Sequence, residues 1–220
     1  MLPELMRSLL VPLSRLAFRP TIEGREHVPR RGAVILAANH LSFLDSFVIP
    51  LFAPRPVVFL AKDEYFTGTG VKGWLSRTTL TGIGAVGVPR GAHRAAQAAL
   101  ETALGQLAEG RAFGIHPEGS RSRDGRLYRG RTGVAWLAFA SGAPVVPVAV
   151  IGTDRIQPIG ARLPRPGRIT VRFGEPLRFA PPTGSAGRAR RQATDEIMDA
   201  IHRLSGQVRA DAYNELSNPQ

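Results

Sequence analysis

The feature that most constrains this chain of 220 residues is the character of its short apolar runs. Residues 33–38, 57–61, 83–88, 112–116 and 145–151 are apolar almost throughout instead of at every second position, and 169–173 is a sixth strand-like run rich in β-branched residues. Strands covered on both faces read this way, whereas a strand with one wet face alternates. Between the runs lie helical patterns. The clearest covers 92–109, with Ala96, Leu100, Ala103, Leu104 and Leu107 on one stripe. Others follow Leu41, span about 70–80 and 132–140, and run from about 188 to 215 with Ile197, Ile201, Leu204 and Val208 on one side. The alternation predicts an α/β domain with a mixed, mostly parallel sheet flanked by helices. No internal repeat or linker divides it, so residues 21–215 are expected to form one domain and 216–220 a frayed tail.

Charge narrows the partners. Lys and Arg number 29 against 17 Asp and Glu, a net charge of +12, which favours an acidic partner. Only Lys62 and Lys72 are lysines; the other basic residues are arginines, which suit bidentate phosphate contacts. A GC-rich coding bias explains the same arginine usage. A nucleic-acid module needs aromatics interleaved with its basic patch. Aromatics make up 7% of the chain, and the densest arginine cluster, 120–131, holds only Tyr128, so no specific nucleic acid is expected. The chain has no cysteine, which excludes disulfides, thiolate nucleophiles and cysteine-based metal sites.

Residues 1–20 carry Leu5, Leu9, Leu13 and Leu16 at helical spacing, with Glu4, Arg7, Arg15 and Arg19 placed too closely for a spanning helix or a signal peptide. The segment predicts a short amphipathic helix lying in a membrane interface; packing against its own domain explains the pattern equally well. The uncharged run 132–153 contains Gly142-Ala143-Pro144 and Pro147, so it reads as a buried helix followed by a buried strand, not a span.

Two strand ends carry the chemistry. The first apolar run leads into Asn39-His40-Leu41-Ser42-Phe43-Leu44-Asp45, at the edge where open α/β sheets bind ligands. Five residues along a continuous helix is a rotation of about 140°, which separates the His40 and Asp45 side chains. They meet if His40 lies in the loop and Asp45 in the first helical turn, a geometry that Ser42-x-x-Asp45 supplies as a capping box. Asp45 then accepts one imidazole N–H and leaves the other nitrogen basic. A capping box beside an ordinary loop histidine explains the same residues without catalysis.

The second site follows Phe113-Gly114-Ile115-His116 with Pro117-Glu118-Gly119-Ser120-Arg121-Ser122. This tight turn offers backbone N–H groups, a carboxylate and a guanidinium, so Arg121 is a candidate phosphate ligand and Glu118 orients a hydroxyl or fixes the arginine. An ordinary polar turn reads alike. Arg90 and Lys62 follow two further apolar runs. Four strand ends thus bring His40/Asp45, Lys62, Arg90 and Glu118/Arg121 to one edge of the predicted sheet.

These blocks resemble the glycerolipid acyltransferases, the PlsC-type lysophosphatidic acid acyltransferase family. Asn39–Asp45 matches its N-H-x-x-x-x-D block and Pro117–Arg121 its P-E-G-[ST]-R block. Gly87-Val88-Pro89-Arg90 is similar to its second block and Val146-Pro147-Val148-Ala149 to its fourth. The resemblance covers roughly residues 24–179. It implies an O-acyltransferase in phospholipid biosynthesis, with lysophosphatidic acid as acceptor, or glycerol 3-phosphate or another lysophospholipid in its place. His40 would act as general base oriented by Asp45, in direct attack on an acyl thioester carried by CoA or acyl carrier protein. Arg90, Glu118, Gly119 and Arg121 would bind the glycerol phosphate, and Pro147 would border the acyl donor; Lys62 is added on position alone. No metal or other cofactor is implied, and the protein is expected on the cytoplasmic face of the membrane as a monotopic protein on an anionic surface. Two departures stand out: His116 occupies a position usually aromatic in the family and is expected to be structural, and Pro89 precedes Arg90 where the family usually has an acid. A thioesterase using His40 with water is a competing reading, against which the anion-binding residues argue.

Overall fold

A computed structural model of the protein describes residues 2–62, 85–88, 92–161 and 163–215. Among the described residues, seven strands form one sheet: β1 (Thr21–Glu23), β2 (Val34–Ala38), β3 (Val57–Lys62), β4 (Ala85–Val88), β5 (Ala112–Ile115), β6 (Val145–Ile151) and β7 (Thr170–Phe173). Their spatial order is β1-β7-β6-β2-β5-β3-β4. All neighbours are parallel except β6 and β7. The helices are α1 (Leu2–Phe18), α2 (Asp45–Phe52), α3 (Ala92–Ala108), α4 (Gly133–Ser141), the single turn α5 (Thr153–Ile156) and α6 (Ala186–Ser205). The predicted helix at 70–80 and residues 83–84 of the third run lie outside the described residues.

The continuous apolar runs are explained by two cores, one on each face of the sheet. Val34, Leu36, Ala38, Val146, Val148 and Phe59 join Val48, Ile49 and Phe52 of α2. Ile35, Ala37, Val145 and Phe113 join Leu107 of α3, Leu137 of α4 and Ile197 and Ile201 of α6. Every residue of β2 is buried. Each large aliphatic side chain so covered contributes about 1.5–3 kcal/mol relative to exposure.

Two elements depart from the expected pattern. The last helix stops at Ser205, ten residues early, because Gly206 takes a left-handed φ of 67° and donates its N–H to His202 O at 2.8 Å. Beyond it the chain runs back beside the 118–131 loop, where Leu127 and Arg209 form a bridge, so Val208 is exposed and not part of a helical stripe. β1 was not expected; three residues at a sheet edge are too few to show a periodicity.

Candidate active site

The parallel strands β2, β3 and β5 and the neighbouring β6 end at the same edge, and the residues after them build the site. Asn39 pins the end of β2: its amide donates to Val150 O at 2.9 Å and to Gln207 Oε1 at 2.7 Å, and its Oδ1 accepts the Val150 N–H at 2.8 Å. His40 then leaves the sheet with its side chain 16% exposed and Nδ1 3.0 Å from Asp45 Oδ2. Asp45 is fully buried at the first position of α2. Its Oδ2 also accepts the N–H groups of Leu41 at 2.6 Å and Ser42 at 2.8 Å, and its Oδ1 accepts the Thr153 hydroxyl at 2.6 Å. Burial alone would raise the Asp45 pKa; the His40 hydrogen bond and nearby imidazoles outweigh it and hold the group below the usual carboxylate range. An anionic partner requires Nδ1 of His40 to carry the proton, which leaves the lone pair on Nε2. Among the described residues no group hydrogen-bonds Nε2.

The capping box forms only in half. Asp45 accepts the Ser42 N–H, but the Ser42 hydroxyl accepts the Leu44 N–H at 3.3 Å and donates to Gln157 O at 2.9 Å. The helix starts after the 41–44 turn, with Leu44 preceding it and Asp45 as its first residue rather than its third. That turn is what lets side chains five apart meet.

Glu118 joins the second loop to the first. It is buried, with Oε1 accepting the His40 N–H and Oε2 the Tyr128 N–H, each at 2.9 Å. Desolvation pushes its pKa up to about 7 against the pull of these two bonds. The Ser122 N–H donates to His40 O at 2.7 Å, a further tie between the loops. In the structure the Glu118 carboxyl group clamps two backbone amides. Gly119 makes the turn possible: its φ of 80° suits glycine, and its N–H closes on His116 O at 3.0 Å. Arg121 is exposed, and its carbonyl accepts the Asn214 amide at 3.1 Å.

His116 stacks on His40, with ring centroids 3.9 Å apart and planes 7° from parallel. Its Nδ1 lies 3.0 Å from Asn39 O and 3.2 Å from Ala38 O, so Nδ1 is the donor and Nε2 accepts the Ser46 hydroxyl at 3.3 Å. Burial, then the neighbouring His40 charge, lower its pKa to about 3. It is a neutral aromatic plate under the exposed imidazole. Phe59 supports the plate at 5.4 Å and reaches it across Gly114, where a Cβ would sit 2.1 Å from the Phe59 ring.

Beside His116 opens a cavity of about 620 Å³. Leu60, Leu100, Ala103, Phe113 and Ile115 make it apolar, and His116, Gly119 and Arg131 lie at its polar side. Pro147 does not line it. That residue is buried in β6, paired with Ala37, with its ring beside Gly174. Lys62 closes β3 opposite Val88. Arg90 lies outside the described residues. Four contributors carried no signal of their own. Thr153 and Gln207 are remote in sequence, Ser46 sits one residue past the motif, and Arg131 was one of several arginines in the 120–131 stretch. Among the described residues, no His, Asp or Glu cluster could hold a metal ion, and no helix is long and apolar enough to cross a membrane.

The family model for acyltransferases matches residues 19–151, which takes in both motif loops. The chain belongs to the acyltransferase family. Among the relatives of this chain is a 1-acyl-sn-glycerol-3-phosphate acyltransferase of Chlamydomonas reinhardtii, 33% identical over 156 residues, 70% of this chain and 45% of the relative. Another, of the same name, comes from Borreliella burgdorferi, 30% identical over 133 residues, 60% of this chain and 51% of the relative. The chain thus spans about half the length of these curated relatives. The 1-acyl-sn-glycerophosphate (LPA) acyltransferase PlsC from Thermotoga maritima shares the fold, with a TM-score of 0.65, 24% identity, and coverage of 93% of this chain and 84% of that one.

Proposed function

We propose that this chain transfers a fatty acyl group from a thioester of CoA or acyl carrier protein to the free hydroxyl of lysophosphatidic acid. The observation that carries the reading is His40 held by the buried Asp45 carboxylate and stacked on His116, which with Arg131 lines the apolar cavity. The relatives' names support the acceptor. His40 Nε2 takes the hydroxyl proton as the oxygen attacks the thioester carbonyl. The C–O bond forms, the tetrahedral intermediate collapses with loss of the C–S bond, and the imidazolium returns the proton to the leaving sulfur. An alcohol is almost wholly protonated at neutral pH, and a positioned base is worth about 10²–10⁴ in rate. Asp45 stabilises the imidazolium while it exists.

Arg121, Arg90, Lys62 and Arg131 supply charge for the glycerol phosphate, with Gly119 giving close backbone approach. Glu118 acts as a positioning residue through the His40 amide. The apolar cavity takes the acyl chain, and Pro147 of β6 borders the acyl donor. α1 lies on the anionic cytoplasmic surface of the membrane as a monotopic attachment. Its Ser14 is buried while Leu13 and Leu16 are 56% and 82% exposed, with Arg15 and Arg19 beside them.

The test is His40→Ala, assayed for thiol release from acyl-CoA with an acceptor panel of lysophosphatidic acid, glycerol 3-phosphate and other lysophospholipids. Undiminished turnover in a folded variant rejects His40 as the base. Free fatty acid as the main product with acceptor present replaces the transferase by a thioesterase.

A further inference from the structure

Large apolar side chains left in water are unevenly placed. Leu13, Leu16, Phe43, Ile159, Leu163, Val208 and Tyr213 are exposed among the described residues. Five of these seven fall on three segments: α1, the 41–44 turn and the loop after α5. Hydrogen bonds join the three. At its far end the loop is tied to the end of α1, the Gly167 N–H donating to Ala17 O at 3.1 Å and the Ile169 N–H to Phe18 O at 3.2 Å. At its near end Gln157 O accepts the Ser42 hydroxyl, and Thr153, four residues earlier, donates to Asp45.

The loop's composition selects its occupant. From Gln157 to Arg168 there are three arginines and no acidic residue, with Leu163 80% exposed and Ile159 40% exposed. Apolar tips flanked by arginines fit an anionic lipid surface, where the tips enter the acyl boundary and the guanidinium groups meet phosphates. Protruding leucine and isoleucine have no such outlet on a purely polar partner.

We propose that residues 157–161 and 163–168 form a second lipid-contacting segment, which with α1 seats the His40 edge of the sheet on an anionic bilayer. The inference rests on the membrane reading of α1 and extends it. Its mechanical content is that the lipid-bound loop and the Asp45 support are one continuous piece of chain. A lysophospholipid held in the bilayer then meets the base without leaving it.

The experiment compares three double variants of the full chain, each checked for fold by circular dichroism: Ile159→Ser/Leu163→Ser, Arg165→Ser/Arg168→Ser, and Leu13→Ser/Leu16→Ser. Partitioning is measured by sedimentation with vesicles of phosphatidylcholine alone or mixed with phosphatidylglycerol, and thiol release with a short-chain, monomeric lysophosphatidic acid. The first variant is expected to lose about tenfold in partitioning to both vesicles. The second should lose about fivefold per arginine on the anionic vesicles only. Turnover of the monomeric acceptor should stay unchanged in both. Unaltered partitioning in the two loop variants, with loss confined to Leu13→Ser/Leu16→Ser, overturns the loop proposal and leaves the α1 reading standing. Loss in none of the three removes both. Lipid-free binding of acyl carrier protein that disappears in Arg165→Ser/Arg168→Ser, without a vesicle defect, assigns the arginines to that acidic protein and also overturns the proposal.

Discussion

His116→Phe tests the neutrality of the imidazole on which His40 stacks. In the folded protein burial and the His40 charge hold His116 at a pKa of about 3, against 6.5 for an ordinary histidine. The unfolded chain therefore binds a proton that the folded chain does not, and stability falls as pH drops from 6.5 toward 3. Each pH unit in that window costs about 1.4 kcal/mol, so acidifying from pH 7 to pH 4.5 removes about 2–3 kcal/mol through this residue. Glu118 has the opposite sign. Its folded pKa of about 7 lies above the ordinary 4.5, so the folded state binds the extra proton and stability rises as pH falls between those values. The two slopes nearly cancel in the wild-type chain. Phenylalanine keeps the plate under His40 but cannot protonate. Near pH 8 the variant should be less stable by about 1–3 kcal/mol, having left the Asn39 and Ala38 carbonyls without a donor. It should then gain about 2–3 kcal/mol on the wild type by pH 4.5, so the two curves converge. Urea unfolding followed by tryptophan fluorescence at stepped pH measures this. A stability difference that does not change with pH refutes the buried, neutral His116.

Four other outcomes are expected. Asp45→Asn should lower kcat at least about 100-fold, because an amide opposite Nδ1 favours the wrong tautomer, and should destabilise the 41–44 turn; thiol release and urea unfolding check both. Thr153→Val leaves Asp45 Oδ1 short of a donor and should cost about 1–2 kcal/mol in stability with a smaller effect on rate. Glu118→Gln retains one acceptor for two amides and should abolish the rise in stability between pH 7 and 4.5, seen as a stability that declines on acidification. Ala103→Phe narrows the apolar cavity and should shift the preferred acyl-CoA toward shorter chains, measured as kcat/KM across a chain-length series.

The parts of the fold that were legible are those where burial writes itself into composition. β2 and β6 sit between neighbours and under helices on both faces, so their apolar runs matched the strands within a residue. β1 is an edge strand of three residues and leaves no such trace. Gly206 ends α6, but the apolar spacing that runs on to Val208 passes through it. In the site, the His40–Asp45 pair was legible because both partners lie within one turn. Thr153 was not, since 108 residues separate it from Asp45. Nor was the role of Glu118, because its partners are backbone amides that any residue type provides.

One carboxyl group thus yokes the amide of His40 to that of Tyr128. The backbone of His40 and the 120–131 stretch are tied through a single side chain. A substitution near Tyr128 that displaces its amide is expected to shift the backbone that carries the His40 imidazole. Under the proposed function, substitutions in the 120–131 stretch are therefore expected to alter turnover as well as affinity.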